Sequence, residues 1–359
     1  MELFPTAAVL NKHKRWGTPA SMDVAFSEAA ETSVALPCGP FDAPPDPTNR
    51  ALCDLGLYLK QQGYRFTTIS PASHSRFLAR ERSGPCSLED ILGWNRTFSV
   101  GEVASDVLRR LTDAGILELV GSSLRSVVRF STLDAQTFVH SSFPTEQPDS
   151  VFFGPDTYRF ARFVDHTIDN IRLHSLHHSL RILDMGAGSG AGGLHAAARA
   201  AQLRATVTLA DINPHALRFC EINATLNAVA NVTIVESDLF ERITGPFDLI
   251  IANPPYLVDA LARTYRHGGG PLGYALSLRI AREGLSHLAP GGRLLLYTGS
   301  AIVNRTDLFK TALSSELAGR DVKVGYEEID PDVFGEELER YPYDRADRIA
   351  VVGVTIDIS

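Results

Sequence analysis

The stretch LRILDMGAGSGAGG (residues 180–193) runs apolar through Ile182 and Leu183, places an acid at Asp184, and then turns on Gly186, Gly188 and Gly190. An apolar run ending in glycines, followed by the Ala-rich GLHAAARAAQL, reads as a buried strand feeding a helix. The same alternation continues downstream. ATVTLADI is a strand, PHALRFCEINATLNA a helix and NVTIVESDLF a strand; FDLIIANPPY, YALSLRIAREGLSHLA and GRLLLYTGS follow as strand, helix and strand. DVKVGYEEID and DRIAVVGVTIDI supply two closing strands. Short apolar strands separated by helices predict an α/β fold, with a parallel, doubly wound sheet covered on both faces.

Upstream the pattern changes. Residues 46–149 are predicted to form a smaller, mainly helical domain, beginning with the helical TNRALCDLGLYLKQQGY. SLEDILGW gives a short helix, and SVGEVASDVLRRLTDAGILELV a longer amphipathic one with Ser99 as its N-cap. ILELV and LRSVVRFST then read as two short strands joined by GSS, so the region resembles a winged-helix module. Its second helix carries Arg109 and Arg110 but also Glu102, Asp106 and Asp113, a balance that suits a substrate or dimer platform better than a DNA groove. Residues 1–45 lack a sustained period and read as an arm of irregular structure.

Composition limits the function classes. With 44% hydrophobic and 21% charged residues the chain is ordinary globular material. Its apolar runs are strand-sized, and the basic residues of the N-terminus follow rather than precede the short apolar run, so a soluble cytoplasmic protein with no membrane association is expected. Cys38, Cys53, Cys86 and Cys220 form no paired motif, and His174, His177 and His178 cluster without accompanying acids or cysteines, so no metal is expected. A net charge of −8 argues against a large polyanionic substrate, although a local basic patch is compatible with it.

The glycine turn reads two ways. Gly188, Gly190 and Gly193 match the dinucleotide fingerprint, which would make the chain an NAD(P)-binding oxidoreductase. Asp184, however, stands at the mouth of the strand, where it would repel a pyrophosphate but suit the ammonium and sulfonium of S-adenosylmethionine (SAM). Asp211 ends the second strand, where a carboxylate can accept from ribose hydroxyls, and Asn213 with Pro214 starts the next helix. Asp238 ends the third strand, placed to accept from an adenine amino group. Ile212 and Leu239, beside these two acids, complete the expected cofactor site with Asp184, Gly186, Gly188, Gly190 and Asn253.

The fourth strand ends on Asn253, Pro254, Pro255 and Tyr256, the expected catalytic group. Asn253 precedes a proline and is driven to an extended conformation, while the two prolines fix φ and remove backbone donors. A planar NH2 group entering such a corner would donate to the Asn253 side chain and to the Pro254 carbonyl, with Tyr256 stacked on its face. An amide or exocyclic amine is a weak nucleophile, and two acceptors on its hydrogens hold it in line with a methyl donor.

Together, DMGAGSG, ADINPHAL, ESDLF and NPPY resemble the class I SAM-dependent N-methyltransferases, most closely the HemK-like family, over roughly residues 150–359. FFGPDTYRFARFV resembles the family's Pro-rich segment, with Pro155, Asp156 and Thr157 matching, and GGGPLG its glycine loop, in which Leu272 replaces an acid. The resemblance implies a Rossmann-like seven-stranded methyltransferase sheet, SAM as cofactor, and methylation of a glutamine side-chain amide in a peptide-chain release factor. The acceptor stays open between a protein, such as a translation factor, and an adenine or guanine amine of RNA or DNA, because the same corner serves both chemistries.

Overall fold

The computed structural model describes residues 46–82, 84–174 and 179–358, with the side chains of residues 172–174 left aside. The N-terminal arm (1–45), Cys38, His177, His178 and the side chain of His174 therefore lie outside what is described. Everything described belongs to one compact unit.

Helix α1 (Pro47–Gln61) opens with Pro at its first position and Asp46 as N-cap, the carboxylate accepting from the Thr48 amide at 2.9 Å. Helices α2 (Pro71–Leu78), α3 (Leu88–Leu92) and α4 (Ser105–Asp113) follow. Ser99 does not cap the long helix expected from the sequence. Its amide is taken by the Glu102 carboxylate at 2.7 Å, closing a single 3-10 turn (Val100–Glu102), and Val103 and Ala104 then leave helical geometry before α4 begins.

Strands β1 (Leu117–Val120) and β2 (Ser123–Ser126) form the expected hairpin. The stretch LRSVVRFST, read above as one strand, is two. The Ser126 hydroxyl both donates to the Val128 carbonyl (2.6 Å) and accepts from its amide (3.2 Å), so β2 breaks there. Strand β3 (Val128–Leu133) then pairs with β4 (Gln136–Ser141), which the sequence reading missed. All six residues of β4 are buried although four are polar, because a helix rather than another strand covers its edge.

Helix α5 (Pro155–His174) leads into the main sheet. Its further elements are β5 (Arg181–Met185), α6 (Ala191–Arg199), β6 (Thr206–Asp211), α7 (Pro214–Leu226), β7 (Val232–Glu236) and β8 (Phe247–Ala252). There follow α8 (Ala275–Gly284), β9 (Leu288–Val303), the short β10 (Thr306–Asp307), α9 (Leu308–Glu316), β11 (Val322–Asp330) and β12 (Arg348–Ile358). The strand order is β11-β12-β9-β8-β5-β6-β7, with β10 paired to β9. The pairs from β9 to β7 are parallel, and β12 runs antiparallel to both neighbours. This is the α/β, doubly wound, seven-stranded sheet the alternation predicts, with its polarity reversed at one strand.

Alternate residues of each strand feed opposite faces. Ile182, Leu209 and Ile251 pack under α5 and α6, while Leu183, Ile250 and Leu294 pack under α8 and α9. A third core joins the N-terminal elements to the sheet domain: Leu52, Leu55 and Phe130 meet Phe219, Ile222 and Leu226 of α7. Two amides of the same helix stand in for a strand. Asn223 exchanges hydrogen bonds with the Val139 amide and carbonyl (2.8 and 3.0 Å), and Asn227 does the same with Thr137 (3.0 and 2.8 Å). Those four bonds satisfy the edge of β4, which is why a polar strand can be buried there.

Candidate functional site

The C-terminal ends of β5, β6, β7 and β8 open onto one cavity of about 560 Å³. Asp184, Gly186, Gly188, Asp211, Ile212, Asp238, Leu239, Asn253, Pro254, Pro255 and Tyr256 all border it. Gly190 does not. It caps α6 at φ 76°, and a Cβ there would come within 3.2 Å of Cys220, Leu194 and Leu209, so its part is to let the turn close.

The turn is tied to both neighbouring acids. Asp211 accepts from the Gly188 amide on one oxygen and from the Asn213 amide on the other, each at 2.9 Å. Each oxygen keeps a lone pair for a ribose hydroxyl. Asn213 in turn caps α7 through the His215 amide at 3.0 Å. Ile212 beside it is 54% exposed, an apolar face presented to the cavity.

Asp184 is 2% exposed and accepts from the Gly193 amide, in the first turn of α6, at 2.6 Å. Burial, with the nearby Asp211 as a lesser cause, raises its carboxyl to about 7. This bond also decides between the two readings of the glycines: the helix N-terminus where a pyrophosphate would sit already holds a carboxylate, against the dinucleotide reading. Asp238 is half exposed and lies 3.5 Å from Arg279. Leu239 is held at φ 46°, its carbonyl accepting from Ser237 Oγ at 2.7 Å, which turns the chain back at the rim of the cavity. These features fit a nucleoside with a cationic tail: apolar Ile212 for a base, Asp211 for a ribose, and Asp184 for positive charge. A Cβ built on Gly186 meets nothing within 4 Å, so the turn itself borders the open volume.

At the other end of the cavity the Asn253 side chain is half-buried and makes no hydrogen bond among the described residues, nor does the Pro254 carbonyl. Both are free to accept from a ligand. Tyr256 is fixed from three sides. Its hydroxyl donates to Asp156 at 2.6 Å, its ring lies on Gly299 of β9, where a Cβ would stand 2.2 Å from it, and Phe334 meets it edge-on. The glycine loop after the motif packs backbone to backbone: a Cβ on Gly273, at φ 85°, would lie 2.2 Å from the Tyr256 carbonyl.

Asp156 gained no role from the sequence, since only the fold brings α5 beside β8 and β9. The rim residues Glu146 and Glu336 carried no motif signal either. The cavity wall holds six acids, Glu146, Asp156, Asp184, Asp211, Asp238 and Glu336, against Arg263 and Arg266. Both arginines are committed, Arg263 to Asp259 (2.5 Å) and Arg266 to Glu337 (2.5 Å). The Arg263 bonds hold the Asp259 carboxyl down at about 2.

Comparison with known proteins agrees with this geometry. The methyltransferase small domain family model matches residues 167–317. A protein of Methanocaldococcus jannaschii, provisionally named protein N5-glutamine methyltransferase, is 32% identical over 162 residues, 41% of this chain and 77% of that protein. The release factor glutamine methyltransferase of Deinococcus radiodurans is 38% identical over 126 residues, which are 32% of this chain and 44% of the relative. The ribosomal RNA small subunit methyltransferase C of Pasteurella multocida is 32% identical over 115 residues, 32% of this chain and 31% of the relative. The chain thus spans less than half the length of the latter two. The archaeal match, covering 77% of its partner, places the chain in the HemK-like family of methyltransferases that carry the methyltransferase small domain.

Proposed function

We propose that the protein is a SAM-dependent N-methyltransferase whose acceptor is the side-chain amide of a glutamine in another protein. The observation that carries methyl transfer to an NH2 group is the uncommitted pair of acceptors at the acceptor end, Asn253 Oδ1 and the Pro254 carbonyl, sharing one cavity with Asp184 and Asp211.

Bound SAM would supply an electrophilic methyl group. Asp211 would hold the ribose, and Asp184, in its ionised form, the ammonium. Asn253 and the Pro254 carbonyl would each take one hydrogen of the acceptor NH2, turning its nitrogen lone pair toward the methyl. As the methyl leaves sulfur, now a neutral thioether, for nitrogen, the two acceptors would stabilise the positive charge developing on nitrogen; the methylated nitrogen would then lose one proton to water in the open cavity, so no strong base is required beside it.

With Asp184, Asp211 and Asp238 at the cofactor end, the rim acids Glu146 and Glu336, together with lining arginines already paired to Asp259 and Glu337, support a protein acceptor over a nucleic acid. Relatives named for glutamine methylation point the same way. The competing acceptor, a nucleobase amine, is favoured by the relative named for ribosomal RNA. Labelled SAM incubated with the protein and a cell extract, followed by separation of protein from nucleic acid, tests the choice. N5-methylglutamine in the protein digest is the expected result. Label confined to RNA would refute the protein acceptor. For residues 46–149 we propose the role of substrate or dimer platform, tested by whether methyl transfer to free glutamine amides survives substitutions on that surface.

A further inference from the structure

Asp156 lies in the first turn of α5, where an acid needs no further explanation than the positive end of the helix. Its surroundings go beyond that. The residue is 7% exposed, and its two oxygens receive the hydroxyls of two tyrosines from two other elements: Tyr256, after β8, at 2.6 Å and Tyr297, in β9, at 2.8 Å. Arg159 adds a third contact at 3.2 Å and reaches on to Asp330 of β11 at 2.8 Å. Burial and the facing carboxylate keep the Tyr256 hydroxyl protonated, so it remains a donor to Asp156.

We propose that Asp156 is a positioning residue for the acceptor: through the Tyr256 hydroxyl its carboxylate holds the Tyr256 ring on Gly299, and with it the Asn253–Tyr256 corner that receives the NH2 group. The inference rests on the methyl-transfer reading for its kinetic consequence. Its geometric part stands separately. Gly299 offers the ring a flat seat but no grip, since a glycine has no side chain to stop it sliding. The hydroxyl bond adds a directional anchor to the packing of the ring against Gly299 and Phe334. Tyr297, bound to the other oxygen, fixes the carboxylate in its turn. An asparagine at position 156 has one acceptor oxygen instead of two, so one tyrosine hydroxyl would exchange its charged acceptor for an NH2 group and be left with a weaker, neutral hydrogen bond of reversed direction.

The test uses the full chain, tritiated SAM and the peptide the wild type methylates best in a library of glutamine-bearing peptides. Asp156→Asn is expected to lower kcat about 10- to 100-fold, as misplacement of a reacting group does, with KM for SAM changed less than about twofold. Tyr256→Phe, which removes only the hydroxyl, should lower kcat similarly and serves if Asp156→Asn folds poorly. In the double variant the losses should not multiply, because both substitutions cut one link. Wild-type kcat in Asp156→Asn, or losses that multiply, would overturn the proposal. If the wild type methylates no peptide, the functional reading fails, and the crystal structure of Asp156→Asn still decides the positioning. A Tyr256 ring displaced from Gly299 sustains it, and an unmoved ring overturns it.

Discussion

Asp184→Asn should make the protein more stable and a poorer binder of SAM at the same time, and the size of both effects follows from one carboxyl. Its ordinary value is 3.8 and its value in the folded protein is about 7, raised by burial. A group with a raised folded-state pKa binds its proton more tightly folded than unfolded. The carboxyl therefore adds no penalty below about pH 4, costs stability progressively as pH rises toward 7, and costs a constant amount above. A carboxyl raised from 3.8 to about 7 corresponds to a cost of about 4 kcal/mol at pH 8. Asparagine removes the charge but keeps an oxygen for the Gly193 amide, so urea unfolding at pH 8 should show a gain of about 2 to 4 kcal/mol, discounted for one buried NH2. At pH 4 the two proteins should differ little. Binding of cationic SAM favours the ionised carboxylate, so wild-type affinity should fall roughly tenfold per unit below pH 7, whereas the variant should bind weakly and without that slope. Equal or lower stability of Asp184→Asn at pH 8 would show that the buried charge carries no cost. An unchanged pH slope of SAM affinity would show that Asp184 does not face the ammonium.

Asn253→Ala should keep SAM affinity within about threefold by calorimetry and lower kcat about 100-fold in the labelled-SAM assay, because it removes one of two contacts to the developing cation. Asp211→Ala should do the reverse first, weakening SAM binding by about 2 kcal/mol through loss of charged hydrogen bonds to the ribose and of the Gly188 tie. Gly273→Ala forces a Cβ toward the Tyr256 carbonyl at a positive φ, and should cost about 2 kcal/mol in urea unfolding together with most of the turnover. Asn223→Leu strips partners from the Val139 amide and carbonyl and from the Ser189 carbonyl, and should lower unfolding free energy by about 3 kcal/mol or more.

The sheet was legible because its signal is local. Ile182 and Leu183, Leu209 and Ala210, and Ile250 and Ile251 are adjacent in sequence and diverge to opposite faces, so apolar runs mark strands buried on both sides. The strand-end residues of the cavity were legible for a related reason: in a parallel sheet the strand ends fall together, so Asp184, Asp211, Asp238 and Asn253 meet wherever the strands pair in register. Strand β4 was not legible, since its residues 136–141 show neither alternation nor an apolar run, and the edge turned away from β3 is satisfied by side-chain amides 84 and 90 residues away. Ser99 misled because a capping pair closes a 3-10 turn as readily as it starts a helix. Asp156 matched a family segment, but its bond to Tyr256 spans 100 residues and has no spacing rule.

The weld along β4 bears on how the protein selects its acceptor. Asn223 bonds the Ser189 carbonyl in the glycine turn at 2.8 Å while its amide also serves Val139, so a single side chain joins the N-terminal elements to the cofactor end of the cavity. With α7 shared between two cores, residues 46–141 cannot swing about the sheet domain without exposing Phe130, Phe219 and Leu226 and breaking those bonds. Selection of the acceptor then falls to the rim, where the segment after β4 meets the loop after the Asn-Pro-Pro-Tyr corner. There Tyr265 donates to the Thr145 carbonyl at 2.5 Å, and Thr264 Oγ1 to that of Pro148 at 2.9 Å. The Thr264 amide adds a third bond to the Pro148 carbonyl at 3.3 Å; both segments border the acceptor end, and these three bonds are far weaker than the buried core behind them. Conformational adjustment to a substrate is therefore expected at residues 143–150 and 259–267, with the glycine turn and β4 unmoved, and hydrogen exchange with and without a bound acceptor peptide should show the change in those two segments.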